Sequence, residues 1–280
     1  MSSGIRRLTG SDIPACLKLA VDRGWPAEEE RWRLLLNVGE GYGWAGADGA
    51  LTGAVVLTPY GTAAAVVGLM LVASQHAGQG IGRALMEHLL DRADGHDSVF
   101  LFATPAGRPL YEKFGFQHVH DVAKHMGTFT PPHPDPSVRT GPLPPGALER
   151  IEALDARALG YDRSRLLRRL TGFTERIRVA YGAEGRITGY GAAWHNAGCT
   201  AVGPVIAPDA ATARTLVTDL AGTARGPVRL ECPVTGNGSW RAWAEDHGLR
   251  EVDRTAFMVL GEPLPDRSGQ HVTPFMQSLG

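Results

Sequence analysis

The stretch VASQHAGQGIGRAL, residues 72–85, connects an apolar run to a helix-forming segment. Residues 66–73 (VVGLMLVA) are almost continuously apolar, which is typical of a central strand that is buried on both faces. After the turn, apolar residues such as Ile81 and Leu85 recur at the spacing of a buried helical face. We therefore predict a core strand, a glycine-rich turn and a core-packed helix in immediate succession.

The glycine-rich turn has the composition of a phosphate-binding site. The first N–H groups of a helix have no partner within the helix and lie at the positive end of its dipole, so they suit a pyrophosphate. Glycine lets a phosphate approach the backbone, because a Cβ would hold it away. Dinucleotide-binding folds and phosphate-free loops also carry such glycines. Against a dinucleotide site, the strand over residues 99–103 ends in Thr104 and Pro105 rather than in an acidic residue.

The two halves of the chain resemble each other. The motif DGALTG at residues 48–53 matches EGRITG at residues 184–189, and in both places a tight turn joins two strand-like runs. FGFQHV at residues 114–119 matches HGLREV at residues 247–252, where a helix ends at a glycine and a strand follows. We infer an internal repeat of one fold.

The repeat predicts two domains joined by a linker that is rich in proline and poor in apolar residues. We predict a first domain over residues 1–130, the linker over residues 131–146 and a second domain over residues 147–280. The helix and strand patterns predict an α/β (α+β) architecture, in which a mixed, mostly antiparallel sheet is flanked by helices in each domain. Separate strands over residues 116–122 and 124–130 are expected to close the first domain.

The composition argues against several classes of function. The 280-residue chain has a formal net charge of −1, whereas binders of nucleic acid or anionic membranes usually carry a basic surplus. No apolar run approaches the roughly 20 residues of a membrane span, and the N-terminus lacks the apolar core of a signal peptide. The three cysteines are far apart (Cys16, Cys199, Cys232), which argues against disulfides and a metal site. We expect a cytoplasmic protein without nucleic-acid, membrane or metal partners and leave its oligomeric state open.

Two motifs together resemble the GCN5-related N-acetyltransferases (GNAT). Residues 72–85 are similar to motif A of that family, whose pattern Gln/Arg-x-x-Gly-x-Gly/Ala is matched here by AGQGIG at residues 77–82. Ala77 stands where the family usually has Gln or Arg, which removes a side chain but no backbone donor. Downstream, LYEKFGF at residues 110–116 is similar to the Leu-Tyr-x-x-x-Gly-Phe element of the family. The resemblance covers most of residues 5–130 and, more loosely, the whole chain as a tandem repeat.

The resemblance implies acetyl-CoA as cosubstrate and direct acetyl transfer, in a ternary complex, to a primary amine on a small molecule or peptide. Backbone groups of Met70, Leu71 and Val72 would pair with the pantetheine arm like an added strand. Tyr111 would protonate the departing thiolate as general acid, since a phenol with a pKa near 10 suits a thiolate with a pKa of about 8.5; the alternative is a core aromatic residue. The pyrophosphate would contact the motif A loop, that is Ala77, Gly78, Gln79, Gly80, Ile81, Gly82 and Arg83.

The acceptor site is less well marked in the sequence. Glu28, Glu29 and Glu30 lie in the helix-rich segment that borders the acceptor site in this family, although an acidic helix start would also explain them. Among these carboxylates we single out Glu29, together with Trp25 as an aromatic residue of the pocket. Glu231, at the end of a strand in the second half, is a further candidate contact. No residue is identified as the general base.

The second half has lost the glycine-rich turn. Its equivalent loop reads APDAAT at residues 207–212, and Asp209 is expected to cap the following helix with the N–H groups that a phosphate would need. Trp240 and Trp243 occupy the region where the first half has Tyr111. We therefore expect a degenerate second domain without a CoA site, which completes the acceptor pocket or stabilises the first domain.

Two other functions remain open. A non-catalytic acyl-CoA-binding regulator would use the same loop without converting an amine. A tandem acyltransferase resembling mycothiol synthase would carry its working site in the second half, where this chain lacks the glycines. We favour the N-acetyltransferase and leave its amine open, since one fold accommodates many acceptors.

Overall fold

The computed structural model describes residues 4–133, 135–234, 239–265 and 271–280. The strands of the first half are β1 (Gly4–Arg7), β2 (Glu40–Ala45), β3 (Leu51–Tyr60), β4 (Ala64–Val72), β5 (Ser98–Ala103) and β6 (Gln117–Gly127). Those that follow are β7 (Arg139–Pro142), β8 (Arg176–Tyr181), β9 (Ile187–Asn196), β10 (Cys199–Ala207), β11 (Val228–Val234), β12 (Arg250–Gly261) and β13 (His271–Thr273).

The helices repeat in the same order in both halves. They are α1 (Ile13–Asp22), α2 (Glu29–Val38), α3 (Ile81–Arg92) and α4 (Arg108–Lys113), then α5 (Leu148–Leu159), α6 (Ser164–Phe173), α7 (Ala210–Ala221) and α8 (Ser239–Asp246). Within the described ranges, no helix combines the length and the apolar character needed to cross a membrane.

The two halves form one continuous sheet. Its strands run in the order β1-β2-β3-β4-β5-β12-β6-β11-β10-β9-β8-β7, and β13 pairs separately with β10. The last long strand of each half has crossed to the other half, because β12 pairs with β5 and β6 pairs with β11. At the centre, β6 and β12 also pair with each other. The halves have therefore exchanged equivalent strands, and each half completes its sheet with a strand of the other.

The predicted class, a mixed sheet flanked by helices, is confirmed, and two details differ. Residues 116–122 and 124–130 were expected to be separate strands, but most of them form the single strand β6. Pairing with β11 and β12 along its two edges holds this strand extended. The segment predicted as a linker contains β7, which pairs with β8 at the edge of the sheet, where Pro142 is tolerated.

Helices cover both faces of the sheet. α1, α2, α5 and α6 pack into one apolar cluster, which buries Leu35 of the first half and Leu167 of the second. α3 packs on the opposite face in the first half, and α7 does so in the second. Along β3, Val56 belongs to the first cluster and Val55 to the cluster under α3, as the alternation of side chains along a strand requires. The face with four helices therefore joins the two halves in one core.

A buried ion pair ties this core to the last residues of the chain. Arg163 donates to both carboxylate oxygens of Asp155 at 2.8 Å, and both side chains are at most 1% exposed. The Tyr190 hydroxyl donates to the same carboxylate, and Arg163 also donates to the carbonyl oxygen of Gly280. The pair thus links α5, β9 and the segment that returns to the first half.

We expect the substitution Arg163→Met to lower the free energy of unfolding by about 3–5 kcal/mol, because Asp155 would stay buried without its charged partner. Urea denaturation measures this change. Arg168→Met is the matched control, since Arg168 pairs with Glu152 at 3.0 Å but is 64% exposed. A change below about 1 kcal/mol is expected for it. Equal losses in the two variants would contradict the role assigned to the buried pair.

Candidate active site

A cavity of about 920 Å³ opens where two parallel strands diverge. Pairing between β4 and β5 ends at Val67 and Leu101, although β4 continues to Val72 and β5 to Ala103. No strand in the described part of the chain pairs with the β4 edge that faces this gap. Its backbone groups are therefore available to another extended segment.

β4 is irregular at the start of this gap. Its register against β3 shifts between the pairs Ala54–Leu71 and Val56–Gly68. Leu69 has a φ of +49°, a left-handed conformation that is uncommon for residues other than glycine. An irregularity of this kind bends the strand that carries it and occurs often beside active sites. The bend accounts for the divergence of β4 from β5.

The end of the chain reaches the same point. A Cβ at Gly68 would lie 2.6 Å from the carbonyl oxygen of Ser278, so only glycine permits this approach. Tyr60 donates to the carbonyl of Leu279, and Arg31 donates to the Ser278 hydroxyl at 3.1 and 3.3 Å. Residues 276–278 consequently line the cavity, although they follow the second half in sequence.

The loop between β4 and α3 presents a row of backbone N–H groups. Gly78 and Gly80 have φ values of +78° and +82°, and a Cβ on either would meet nothing within 4 Å. No side chain caps α3. The N–H groups of Gly78, Gly80 and Ile81 find no acceptor among the residues that the structure describes. Free donors at the positive end of a helix, with no side chain in front of them, fit the pyrophosphate of acetyl-CoA.

Neighbouring contacts hold this loop in place. Asp22, at the end of α1, accepts hydrogen bonds from the backbone N–H and the hydroxyl of Ser74 at 2.6 and 2.7 Å, which keep the pKa of Asp22 below its usual range. The side chain of Gln79 bonds to the His76 ring and to the carbonyl of Gln75. The loop is thus positioned without using the N–H groups that face the cavity.

Tyr111 lies on α4 and lines the cavity beside the gap. It is 8% exposed, and its ring contacts Phe116 edge to face, with the centroids 6.0 Å apart. A Cβ on Gly107 would lie 3.2 Å from the ring, so the absence of a side chain there leaves room for it. Burial raises the pKa of the phenol above its ordinary value. Tyr111 therefore keeps its proton and can act as a hydrogen-bond donor.

The second half fills the corresponding positions with its own groups. Asp209 accepts a hydrogen bond from the Thr212 N–H at 2.7 Å, which confirms the predicted cap of α7. β13 pairs with β10 along residues 205–207, which correspond to residues 70–72 at the end of β4, because Ile206 lies opposite Tyr190 as Leu71 lies opposite the equivalent Ala54. The counterpart of the open β4 edge is therefore occupied by the chain itself.

Ion pairs line the far end of the cavity. Glu28 and Arg31 pair at 3.1 Å, and the Arg31 guanidinium lies 5.9 Å from the ring centroid of Trp25. Lys124 of β6 pairs with Asp253 of β12 at 2.8 Å. Burial lowers the pKa of Arg31, while the Glu28 carboxylate opposes this effect. At this end of the cavity, the ion pair of Glu28 and Arg31 therefore accompanies an ion pair between the exchanged strands β6 and β12.

The second half contributes Arg229 and Glu231, which lie on β11 and are 3.5 Å apart. Arg229 also donates to Asn196 and lies over the Trp194 ring, 5.1 Å from its centroid. Glu231 is 7% exposed, and its Oε2 has no hydrogen-bond partner anywhere in the described ranges. Both halves therefore form the wall of the cavity.

Two family models match the chain, and both are described as an acetyltransferase (GNAT) domain. One covers residues 39–118 and the other residues 151–272. The chain contains two GNAT domains in tandem. This tandem GNAT protein is 26% identical to YitH, an uncharacterised N-acetyltransferase of Bacillus subtilis (strain 168), over 98% of its own length and 97% of that relative.

Solved structures share the whole tandem arrangement. A proposed acetyltransferase from Pyrococcus horikoshii superposes with a TM-score of 0.82 at 20% identity, covering 99% of this chain and 96% of that one. A tandem GNAT protein from the clavulanic acid biosynthesis pathway superposes with a TM-score of 0.68 at 16% identity, covering 95% and 100%. At these identities the likeness shows the fold of the tandem GNAT protein.

The structure brings most of the predicted site residues to this cavity. They are Trp25, Met70, Leu71, Val72, Ala77, Gly78, Gly80, Ile81, Gly82, Arg83, Tyr111 and Glu231. Gln79 and Glu29 do not line it: Gln79 bonds within its loop, and Glu29 forms an exposed ion pair with Arg33. Glu28 takes the place expected for Glu29, because successive residues at a helix start point in different directions.

At the far end of the cavity, sequence reasoning missed the charged residues Arg31, Lys124, Arg229 and Asp253. Glu28 could have pointed to Arg31, since residues three apart on a helix are neighbours. The other three meet only because β6 and β12 change sides, and no local pattern in the sequence marks that exchange.

We expect Gly80→Ala to weaken binding of coenzyme A at least about tenfold, because a Cβ would separate the phosphates from the backbone donors. Isothermal titration calorimetry measures the affinity and should give one site per wild-type chain. Gly49→Ala is the control, since Gly49 also has a positive φ (+83°) and open space around it, but lies in a turn outside the cavity. An unchanged affinity in Gly80→Ala would contradict the assignment of this loop.

Proposed function

We propose that this protein is an acetyl-CoA-dependent N-acetyltransferase with a single active site, built around the first GNAT domain and completed by the second. The proposal rests on one observation: in the first half, two sets of backbone groups without hydrogen-bond partners lie side by side. The unpartnered N–H groups of the loop before α3 adjoin the open edge of β4, and both face the same cavity.

Acetyl-CoA would supply the acetyl group as a thioester. Residues 70–72 of β4 would pair with its pantetheine arm, and the loop before α3 would bind its pyrophosphate. Three cationic side chains on the cavity wall, Arg23, Arg83 and Lys113, add charge of the sign that phosphates require. The second half has Asp209 and β13 at the equivalent positions, which favours one CoA site over two.

Tyr111 would act on the leaving group. As the amine nitrogen forms the new C–N bond, the C–S bond breaks and the sulfur gains negative charge, which a phenol can neutralise by donating its proton. The raised pKa keeps this phenol protonated up to alkaline pH. The attacking ammonium must first lose a proton, and Asp253, which lies on the strand that pairs with β5, is the candidate acceptor among the carboxylates of the cavity.

The variant Tyr111→Phe separates an enzyme from a regulator that only binds acyl-CoA. We expect kcat to fall about 10²- to 10⁴-fold while the affinity for coenzyme A stays within twofold, because only proton donation is removed. Release of free thiol from acetyl-CoA, measured with a panel of primary amines, reports the rate. Tyr181→Phe serves as control, since Tyr181 stacks with Arg139 and does not line the cavity.

The pH dependence offers a further check on the same residue. Because the folded-state pKa of Tyr111 is raised, the wild-type rate should not decline as the pH approaches the ordinary tyrosine value of about 10. Binding of acetyl-CoA without thiol release for any amine would contradict the enzyme and favour the regulator. If Tyr111→Phe still acetylates amines at the wild-type rate, Tyr111 is not the general acid, and the rest of the proposal stands.

A further inference from the structure

Glu231 lies far from the gap that would hold the thioester. Between β5 and β11 stand β12 and β6, so three strand spacings, roughly 14 Å, separate the backbone of β5 from that of Glu231. Glu231 is directly opposite Lys124 on β6, which in turn is opposite Asp253 on β12, so these side chains share one face of the sheet. Glu231 is therefore placed to contact the far end of an acceptor rather than its reacting nitrogen.

This end of the cavity is polar and incompletely satisfied. Glu231 Oε2 is buried and has no hydrogen-bond partner in the described chain, and the same holds for Thr255 Oγ1 and Gln277 Nε2. All three residues line the cavity. Burying a polar atom without a partner costs free energy, so such atoms at a ligand cavity indicate groups that the ligand satisfies. A carboxylate oxygen calls for a donor, and a charged donor such as an ammonium group binds it about twice as strongly as a neutral one.

Two guanidinium groups lie near this carboxylate, since Arg229 is an ion-pair partner of Glu231 and Arg31 interacts with both of them electrostatically. Arg31 donates to Glu28 and Ser278, and Arg229 donates to Asn196 and lies 3.5 Å from Glu231. Each guanidinium carries five N–H donors, more than these contacts use. Arginine pairs well with carboxylates because its planar donors match their two oxygens. The far end thus offers partners for one cationic and one anionic group.

Given the acetyltransferase function proposed above, we propose that the acceptor is a small diamino acid, with Glu231 binding its α-ammonium and Arg31 and Arg229 binding its carboxylate. The second amine, at the end of the aliphatic side chain, would extend from this end of the cavity toward the gap between β4 and β5. Phe102 and Met276 line the cavity and supply apolar surface for the methylene groups. The acetyl group is transferred to the side-chain nitrogen of the acceptor.

Four probes of similar length test this assignment with the full-length protein. L-Lysine carries both head groups, 6-aminohexanoate lacks the α-amine, cadaverine lacks the carboxylate, and n-pentylamine lacks both. L-Ornithine and L-2,4-diaminobutyrate vary the distance to the reactive amine. Thiol release gives kcat and KM for each probe, and mass spectrometry identifies the acetylated nitrogen. We expect at least one diamino acid to exceed n-pentylamine in kcat/KM by 100-fold or more, with acetylation at the side-chain nitrogen.

The variant Glu231→Gln should act on one head group only. For the best diamino acid we expect KM to rise roughly 10- to 100-fold with kcat nearly unchanged, since a charge-assisted contact to the α-ammonium is weakened. The kinetics of 6-aminohexanoate should not change, because that probe has no α-amine. Glu152→Gln is the matched control: Glu152 is also largely buried and paired with an arginine, Arg168, but it does not line the cavity.

Arg31→Gln tests the other head group. It should reduce the preference for the diamino acid over cadaverine by roughly tenfold or more and leave the kinetics of cadaverine unchanged. Calorimetric titration with coenzyme A confirms that each variant is folded and binds its cosubstrate.

The outcomes separate this inference from the proposed function. If acetyl-CoA binds and simple monoamines are acetylated as well as the diamino acids, the inference is wrong and the acetyltransferase stands. The inference is equally overturned if none of the three diamino acids accepts an acetyl group while another amine does, or if Glu231→Gln slows all probes alike. Failure of the wild-type protein to bind acetyl-CoA would overturn the proposed function itself.

Discussion

The far end of the cavity depends on β6 and β12 changing sides. Because β12 pairs with β5, Asp253 and Thr255 come to lie just beyond the gap that opens next to β4. Because β6 pairs with β11, Glu231 and Arg229 lie on the same continuous face. The exchange also makes the halves share one hydrophobic core, since α1, α2, α5 and α6 pack together. A composite cavity follows from one topological feature.

The symmetry of the fold makes the differences between its halves informative. In the first half, the loop before α3 leaves its N–H groups free, and the end of β4 has an open edge. In the second half, Asp209 uses the N–H of Thr212, and β13 pairs with β10 at the equivalent residues. Asp209 and β13 thus supply hydrogen-bond partners at the positions where a bound CoA would otherwise provide them. The same scaffold therefore offers one open cleft and one closed by the protein.

The C-terminal segment, residues 271–280, has two roles. It pairs with β10 in the second half, and it lines the cavity next to the first half. After pairing with β10, the chain passes to the first half, where Ser278 packs against Gly68 and accepts hydrogen bonds from Arg31. The buried pair of Asp155 and Arg163 holds this segment through the carbonyl of Gly280. The two halves thus differ: the cleft of the first half is open, and the second half contributes Arg229, Glu231 and the C-terminal segment to the wall of the same cavity.

Local sequence patterns were enough to predict the strand, turn and helix around residues 72–85 and the cap at Asp209, since each depends on neighbours within a few residues. Matching short motifs also revealed the repeat. They also marked Tyr111, which lies in a short motif on α4. They did not distinguish Glu28 from Glu29, because the direction of a side chain depends on how its helix is set against the sheet. Arg229, Asp253 and Lys124 became neighbours only through strand pairing between distant segments, whose partners are selected by the packing of the whole chain. Short-range backbone and capping preferences thus specify where a glycine-rich loop with free N–H groups can form, whereas long-range pairing decides which charged residues line the cavity beside it.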